Sequence, residues 1–533
     1  MGWNFLLQHK KTTKNPMIEA ILFKFQSFRN RLFQLFDYRS GATMDLIDAV
    51  SAEITASSVV KVSLSELFRR KYSSLTDVLN SLFRTNLKVP PTVKGRQQQT
   101  LKITQLLAEE CAPGPQEKGF ALFAIDCTAN PRIYARKITD RTAVHAPNHI
   151  PGQKPITVGH EYSVLVHLPN QAMDQELHWV IPLSVRRVES NQIGSQVGLA
   201  QLEEISNQTV FRSCFCVSVS DAAYSTKGWA IGIKKWPHVV HIARMRRNRK
   251  LYRMPHCGSK TRCGRPRIYG EELLLKCPPQ PDLEETTTIT TRKGRVYQVL
   301  LERWNNVIMQ GSQEERTHEH PFDLLRVTVT DQKGKPVYRR PLWAMIAGVR
   351  RRDLSSKDAY ISYGRRYDIE HFFRFGKQRL GLVNSQTCET RHEENWHWIG
   401  LLAYNMLFHA RQLTRPVTYP WEKRKVHAIT ATERPSQVQR DYGRIIRGIG
   451  SPAPIPKPRG KSSGRPLGYN SGERPDCPLI RKSVKKGDQE SAEQNSVTQD
   501  KKSPARAKFR QPKKQYRRVR RIWSKKRPIP IRC

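Results

Sequence analysis

Phe120-Ala-Leu-Phe-Ala-Ile-Asp126 and Cys214-Phe-Cys-Val-Ser-Val-Ser-Asp221 decide how this chain is read. Each is an apolar run of strand length that ends on a carboxylate. Between them, Ile156 to Leu168 and Leu177 to Val188 read as two further strands and 195–212 as a helix. A helix near 225–235 and a strand near 238–246 follow. This order predicts a mixed α/β domain with both aspartates at strand ends. An unpaired acid closing an apolar strand is costly unless something binds it, which makes Asp126 and Asp221 candidate site residues.

Working outward, residues 1–112 read as an all-α region. Ile18, Ile21, Leu22, Phe25, Phe28, Leu32, Leu35 and Phe36 recur at helical spacing, and helical patterns follow near 44–56, 63–85 and 96–112. Ser63-Leu64-Ser65-Glu66 has the form of a capping box opening the second of these. Such a region either grips DNA or packs as a collar. Residues 113–254 form the first part of the α/β domain. From 255 to 345 the text is strand-like, with Thr286 to Thr290, Val296 to Leu301, Leu324 to Thr330 and a turn at Lys333-Gly334, and it reads as a β-rich insertion. Helices at about 355–381 and 393–413 complete the domain within 346–415. Residues 416–533 are assigned to a basic, Pro-rich and largely disordered tail.

Lys and Arg total 92 against 46 Asp and Glu, a formal charge of +46 that points to a polyanionic partner, DNA or RNA. About +18 of it lies beyond residue 451, so the body is basic without its tail. No run approaches the ~18 apolar residues of a membrane span, and the start lacks a secretory apolar segment, so a cytoplasmic protein is expected. The 10 Cys show no disulfide framework. His256, Cys257, Cys263 and Cys277 are the grouping to weigh as zinc ligands, but their spacing matches no common zinc module. His145, His149 and His160 follow the first aspartate and read as loop or strand histidines with ordinary partners.

Residues 363–377 read Tyr-Gly-Arg-Arg-Tyr-Asp-Ile-Glu-His-Phe-Phe-Arg-Phe-Gly-Lys. At ~100° per residue, Tyr363, Arg366, Glu370 and Lys377 share one helical face and Asp368 points away. One acid beside a phenol, a guanidinium and an ammonium suits a phosphate bound next to a metal ion. The alternative is an exposed helix face on which Arg366 and Glu370 form an ordinary i,i+4 pair.

Tyr-x2-Arg-x3-Glu-x6-Lys resembles the Tyr-Arg-Glu-Lys helix of a group of DDE transposases of bacterial insertion sequences. Asp126-Cys127-Thr128 and Asp221-Ala222-Ala223-Tyr224 resemble that group's two aspartate motifs. The resemblance covers roughly 115–412. It implies a ribonuclease H-like fold with a β-rich insertion between the second aspartate and the glutamate. It implies Asp126, Asp221 and Glu370 as catalytic metal ligands for two Mg2+ ions, with Mn2+ able to substitute. Tyr363 and Arg366 would hold phosphates at the transposon end, and Lys377 would contact the transferred strand. Trp304 and Trp343, in the insertion, are the candidates for stacking a flipped base. The implied partner is double-stranded DNA, both element ends and target, bound by a homodimer in a bacterial cell and associated with the nucleoid. Three rivals stay open: a catalytically silent DNA-binding derivative, another ribonuclease H-like nuclease, and a nucleic-acid packaging protein.

Overall fold

The computed structural model describes residues 16–481, except 56–57, 85–92, 112–118, 147–151, 170–177, 256–267, 291–293, 313, 386, 415–432, 459–463, 465 and 471. The first compact unit of the chain ends at Lys482, and the second, Ser483–Cys533, lies outside the described residues. His149, Leu177, His256, Cys257, Cys263 and the terminal part of the basic tail also lie outside them.

Five helices come first: α1 (Pro16–Gln34), α2 (Ser40–Ala52), α3 (Val59–Val62), α4 (Tyr72–Ser81) and α5 (Val93–Glu109). No strand occurs among the described residues of this region. The apolar stripe of α1 buries Phe25, Phe28 and Leu32, as its spacing predicts. The capping box at Ser63 does not form. Ser63 ends α3, its hydroxyl donating to the Val60 carbonyl at 2.6 Å, and Ser58 caps that short helix instead. The next helix begins only at Tyr72, because Arg69 and Arg70 are drawn onto the buried Asp45 carboxylate at 2.6 and 3.0 Å. Here a tertiary ion pair overrides a local capping signal.

The sheet follows, with β1 (Phe120–Pro131), β2 (Thr142–His145), β3 (Ile156–His167) and β4 (Ile181–Val188). Next come α6 (Gly194–Ser206), the short α7 (Thr209–Arg212), β5 (Phe215–Ser220), α8 (Lys227–Ile233) and β6 (Val239–Arg244). Strands β1, β5 and β6 run parallel, side by side. Their near-continuous apolar text reflects burial on both faces. Consecutive β3 residues point to opposite faces. Ser163 bonds Gln201 of α6 at 2.6 Å, while Tyr162 stacks on His397 at 3.7 Å between ring centroids. Helices therefore cover both sides.

Strands β7 (Leu251–Arg253), β8 (Glu272–Leu273), β9 (Leu283–Thr290), β10 (Val296–Met309), β11 (Phe322–Thr330) and β12 (Leu342–Ala347) make up the insertion. They do not form a sheet of their own. β12 pairs antiparallel with β6, so one 12-stranded sheet runs β2-β3-β1-β5-β6-β12-β11-β10-β7-β8, with β4 on β3 and β9 on β10. Asp323 of β11 is fully buried and bridges Arg303 at 2.7 Å and Arg351 at 2.9 Å. Arg303 also donates to the Leu354 carbonyl at 2.9 Å. This charged node fixes where the chain leaves the sheet for the helices that follow.

Those helices are α9 (Ser356–Arg365), α10 (Tyr367–Arg379), α11 (Thr390–Ala410) and α12 (Pro435–Ile449). The last corrects the expectation of a largely disordered tail from 416. Val438, Tyr442, Ile445 and Ile446 of α12 are buried, at intervals that place them on one helical face. Tyr442 accepts from Arg29 at 3.1 Å and donates to Asp48 at 3.0 Å, while Arg29 and Asp48 form a buried ion pair. Farther on, the Cys477 and Ile480 amides donate to the Arg136 and Arg141 carbonyls at 2.8 and 2.9 Å.

Candidate active site

The parallel pairing of β1 with β5 ends at Ile125 opposite Ser220, so Asp126 and Asp221 are the next residues on two adjacent strands. Neighbouring strands lie about 4.8 Å apart, which sets the two carboxylates side by side. Asp126 is not at a strand end, as its sequence suggested. β1 continues to Pro131, held by β3 alone, and Asp126 marks the point where the parallel ladder stops. Asp221 does close β5, and its Oδ1 accepts from the Ala223 amide at 2.8 Å, which fixes the turn after it.

Glu370 arrives on α10. The expected single helix over 355–381 is broken at Arg366, whose amide bonds back three residues to the Tyr363 carbonyl at 3.1 Å. Two neighbouring arginines at the break reach different carboxylates. Arg365 pairs with Asp368 at 2.7 Å and reaches the Pro169 carbonyl. Arg366 pairs with Glu370 at 2.7 Å and lies 3.7 Å from Asp126. Asp368 is buried against His178 at 2.6 Å, on a different set of partners from Glu370. Tyr363 has its ring 6.0 Å from the Arg366 guanidinium carbon. Lys377 is half-buried, burial lowers the pKa of its ammonium, and no ion pair joins it to a carboxylate among the described residues.

The electrostatics join the three acids. The Asp126 side chain is 19% exposed, and its carboxyl is pushed up to about 7 by burial and then by the charge of Asp221, with a smaller push from Glu370. The Cys127 amide, 2.8 Å from Oδ1, and Arg366 pull the other way without restoring the ordinary value. Three carboxylates thus share one space with one guanidinium between them. They are not closed into a cage, and among the described residues no three His, Cys, Asp or Glu side chains are grouped tightly enough to hold a metal. The donor set still fits a hard divalent cation, being all carboxylate oxygen with less positive charge nearby than its ionised form requires.

The backing of this site was not read from the sequence. Gly194 and Gly198, one turn apart on α6, lie over β1. A Cβ on Gly198 would meet Ile125 and Tyr224 at 2.9 Å each, and one on Gly194 would strike the Cys127 sulfur. Tyr224, fourth in the Asp221-Ala-Ala-Tyr run, sets its hydroxyl 3.3 Å from Cys127 Sγ and so ties the Asp221 turn to the residue after Asp126. Burial raises the Cys127 thiol to about 12, which makes it an inert packing group. Behind β5, His241 bonds Ser218 at 2.8 Å and Ser220 at 3.1 Å, and burial lowers it to about 3, so it is neutral. The small-x3-small spacing of Gly194 and Gly198 was the available signal.

Trp304 and Trp343 are corrected. They are 0% and 2% exposed and pack on each other with centroids 5.3 Å apart. Trp304 donates to the Pro279 carbonyl at 3.0 Å. Both are core residues of β10 and β12, with no face left for a base. His160 is likewise buried, between Glu393 and the Thr139 carbonyl, each at 2.9 Å, and His145 is exposed on β2. Cys277 carries an exposed free thiol.

Against known families, residues 138–406 match the transposase DDE domain, just over half of the chain. The chain belongs to the DDE transposase family. No curated protein matches it. The matched span of this transposase includes Asp221, Glu370, Tyr363, Arg366 and Lys377 and begins after Asp126. Asp126 therefore rests on its register with Asp221 and on their shared field. No helix among the described residues is long and apolar enough to cross a membrane.

Proposed function

We propose that this transposase is an active enzyme of the insertion-sequence type. It would cut the ends of its own element and join them to target DNA, with Asp126, Asp221 and Glu370 as the residues that hold Mg2+. The observation that carries this reading is the register that sets Asp126 beside Asp221 where the β1–β5 ladder ends, with Arg366 reaching Asp126 at 3.7 Å and Glu370 at 2.7 Å. Acids placed together at a cost in mutual repulsion are expected where function demands them. Two magnesium ions on such carboxylates supply an activated oxygen nucleophile and a stabilised leaving oxygen.

The chain's own groups would do the rest. Arg366, next to both Asp126 and Glu370, is placed to pair with a phosphate once cations relieve the acids. Tyr363, beside it, would set the register of that phosphate, and Lys377 would contact the transferred strand. In the first step water oxygen displaces the 3′ oxygen from phosphorus. In the second the freed 3′-hydroxyl displaces a target-strand oxygen, so the number of phosphodiester bonds is conserved in joining. A ribonuclease H-like core accounts for the acids on adjacent parallel strands, and joining of paired ends favours a homodimer.

The test is a magnesium-dependent nicking and joining assay on DNA carrying the element's own ends. Asp126→Asn should abolish cutting and spare binding. Equal activity in the variant would overturn the assignment, and binding without cutting by the unmodified chain would support the silent-derivative reading.

A further inference from the structure

A cavity of ≈ 560 Å³ lies apart from the three acids, between α4, α5, the edge strand β4, α6 and the start of α11. A second, of ≈ 600 Å³, adjoins it and shares Asn80, Arg84, Thr390 and Arg391 as a common wall. The arginines within differ in one respect. Arg96 and Arg187 are both paired with Glu394, at 3.3 and 2.8 Å, and Arg186 is paired with Glu204. Arg84 and Arg391, on the shared wall, have no carboxylate partner among the described residues, and the Nε of Arg84 is buried without a hydrogen-bond acceptor. Arg391 is exposed. The same wall carries the first residues of the 21-residue α11, whose N-cap Glu389 supplies no side-chain cap. Glu389 also lines the second cavity, and its carboxylate is engaged by His392 at 3.3 Å and Arg474 at 3.2 Å.

The geometry points to this double cavity as a binding groove for a single DNA strand, with Arg84 and Arg391 holding backbone phosphate. The inference rests on the reading that this transposase handles DNA. The volumes suit a ligand-sized body and exclude a duplex, and adjoining cavities that share a cationic wall favour an extended polyanion over one small ion. The groove is coupled to the acids by position. Val197, which lines it, sits on α6 between Gly194 and Gly198, the two residues laid over β1 at Ile125 and Cys127, on either side of Asp126.

Cys388 lines the second cavity and is exposed, while Cys277 is exposed and lines neither, so the chain carries a reporter and an internal reference. The experiment follows alkylation of each cysteine by mass spectrometry in the full chain, which keeps tail binding out of the readout. An oligothymidylate of about 20 nucleotides, at ~10 times its Kd, should slow Cys388 about tenfold and leave Cys277 unchanged. Protection should disappear in Arg84→Ser/Arg391→Ser and persist in Asp126→Asn. Alkylation of Cys388 at an unchanged rate under saturating oligonucleotide overturns the groove, as does protection that survives the double substitution. Equal protection by thymidine monophosphate or inorganic phosphate at matched concentration overturns the strand assignment. Protection in a chain that cuts no DNA leaves the groove standing and removes the catalytic reading.

Discussion

Replacing Asp126 by Asn should make the folded protein more stable at alkaline pH, and the size of the effect follows from the site. The Asp126 carboxyl moves from 3.8 to about 7 on folding. Between those values the folded state holds a proton that the unfolded state has lost, so stability falls as pH rises from about 4 to about 7 and is level above. Some three pH units at 1.36 kcal/mol each give a penalty on the order of 4 kcal/mol above pH 7. Asn carries no charge and escapes it. In a chain of this size that is a rise of a few degrees in Tm at pH 8, shrinking to nothing near pH 4. The assay is thermal unfolding of both proteins across that range, with and without magnesium. Magnesium should raise the Tm of the unmodified protein at pH 8, since binding to the folded state alone stabilises it, and should do little for the variant. A difference between the two Tm curves that does not change with pH would refute the shared-field account of the three acids.

Other consequences can be tested in parallel. Trp304→Ala should cost about 3–5 kcal/mol, read as a lowered Tm, because it empties a core position, while Trp304→Phe should leave DNA cutting intact. Gly198→Ala should reduce cutting more than DNA retention, since the added methyl pushes α6 from Ile125 and Tyr224 at a cost of about 1–3 kcal/mol. Arg29→Met leaves Asp48 buried without its cation and should destabilise by about 3–5 kcal/mol in denaturant titration. Removing the Lys- and Arg-rich residues 483–533 should flatten the salt dependence of DNA binding, read as a smaller slope of affinity against salt.

The central strands were legible because burial on both faces writes itself as unbroken apolar text, as in Phe120–Ile125 and Phe215–Val219. Glu370 could be chosen over Asp368 from helical angles, and the structure gives the two acids separate partners. What escaped was set by contacts distant in sequence. Nothing local to Ser63 reveals that Arg69 and Arg70 will be pulled onto Asp45. Trp304 and Trp343 read equally as core or as surface until their strands are paired. The α12 stripe was present in the text, but Gln437, Gln439, Arg440, Arg444 and Arg447 between its apolar residues disguised it as tail.

The hydroxyl of Tyr442 meets Arg29 across 413 positions of chain. A ribosome delivers Arg29 early and Tyr442 late, so during most of synthesis the earliest helix has a buried cation site with one member missing. Any product that stops before α12 keeps Phe25 and the Arg29–Asp48 pair on a face that Tyr442 no longer covers. Frameshifted or prematurely ended copies of this gene should then be recognised as unfinished and degraded, whether or not they already carry all three acids. Completeness of the polypeptide, and not possession of the catalytic set, becomes the condition for a persistent enzyme.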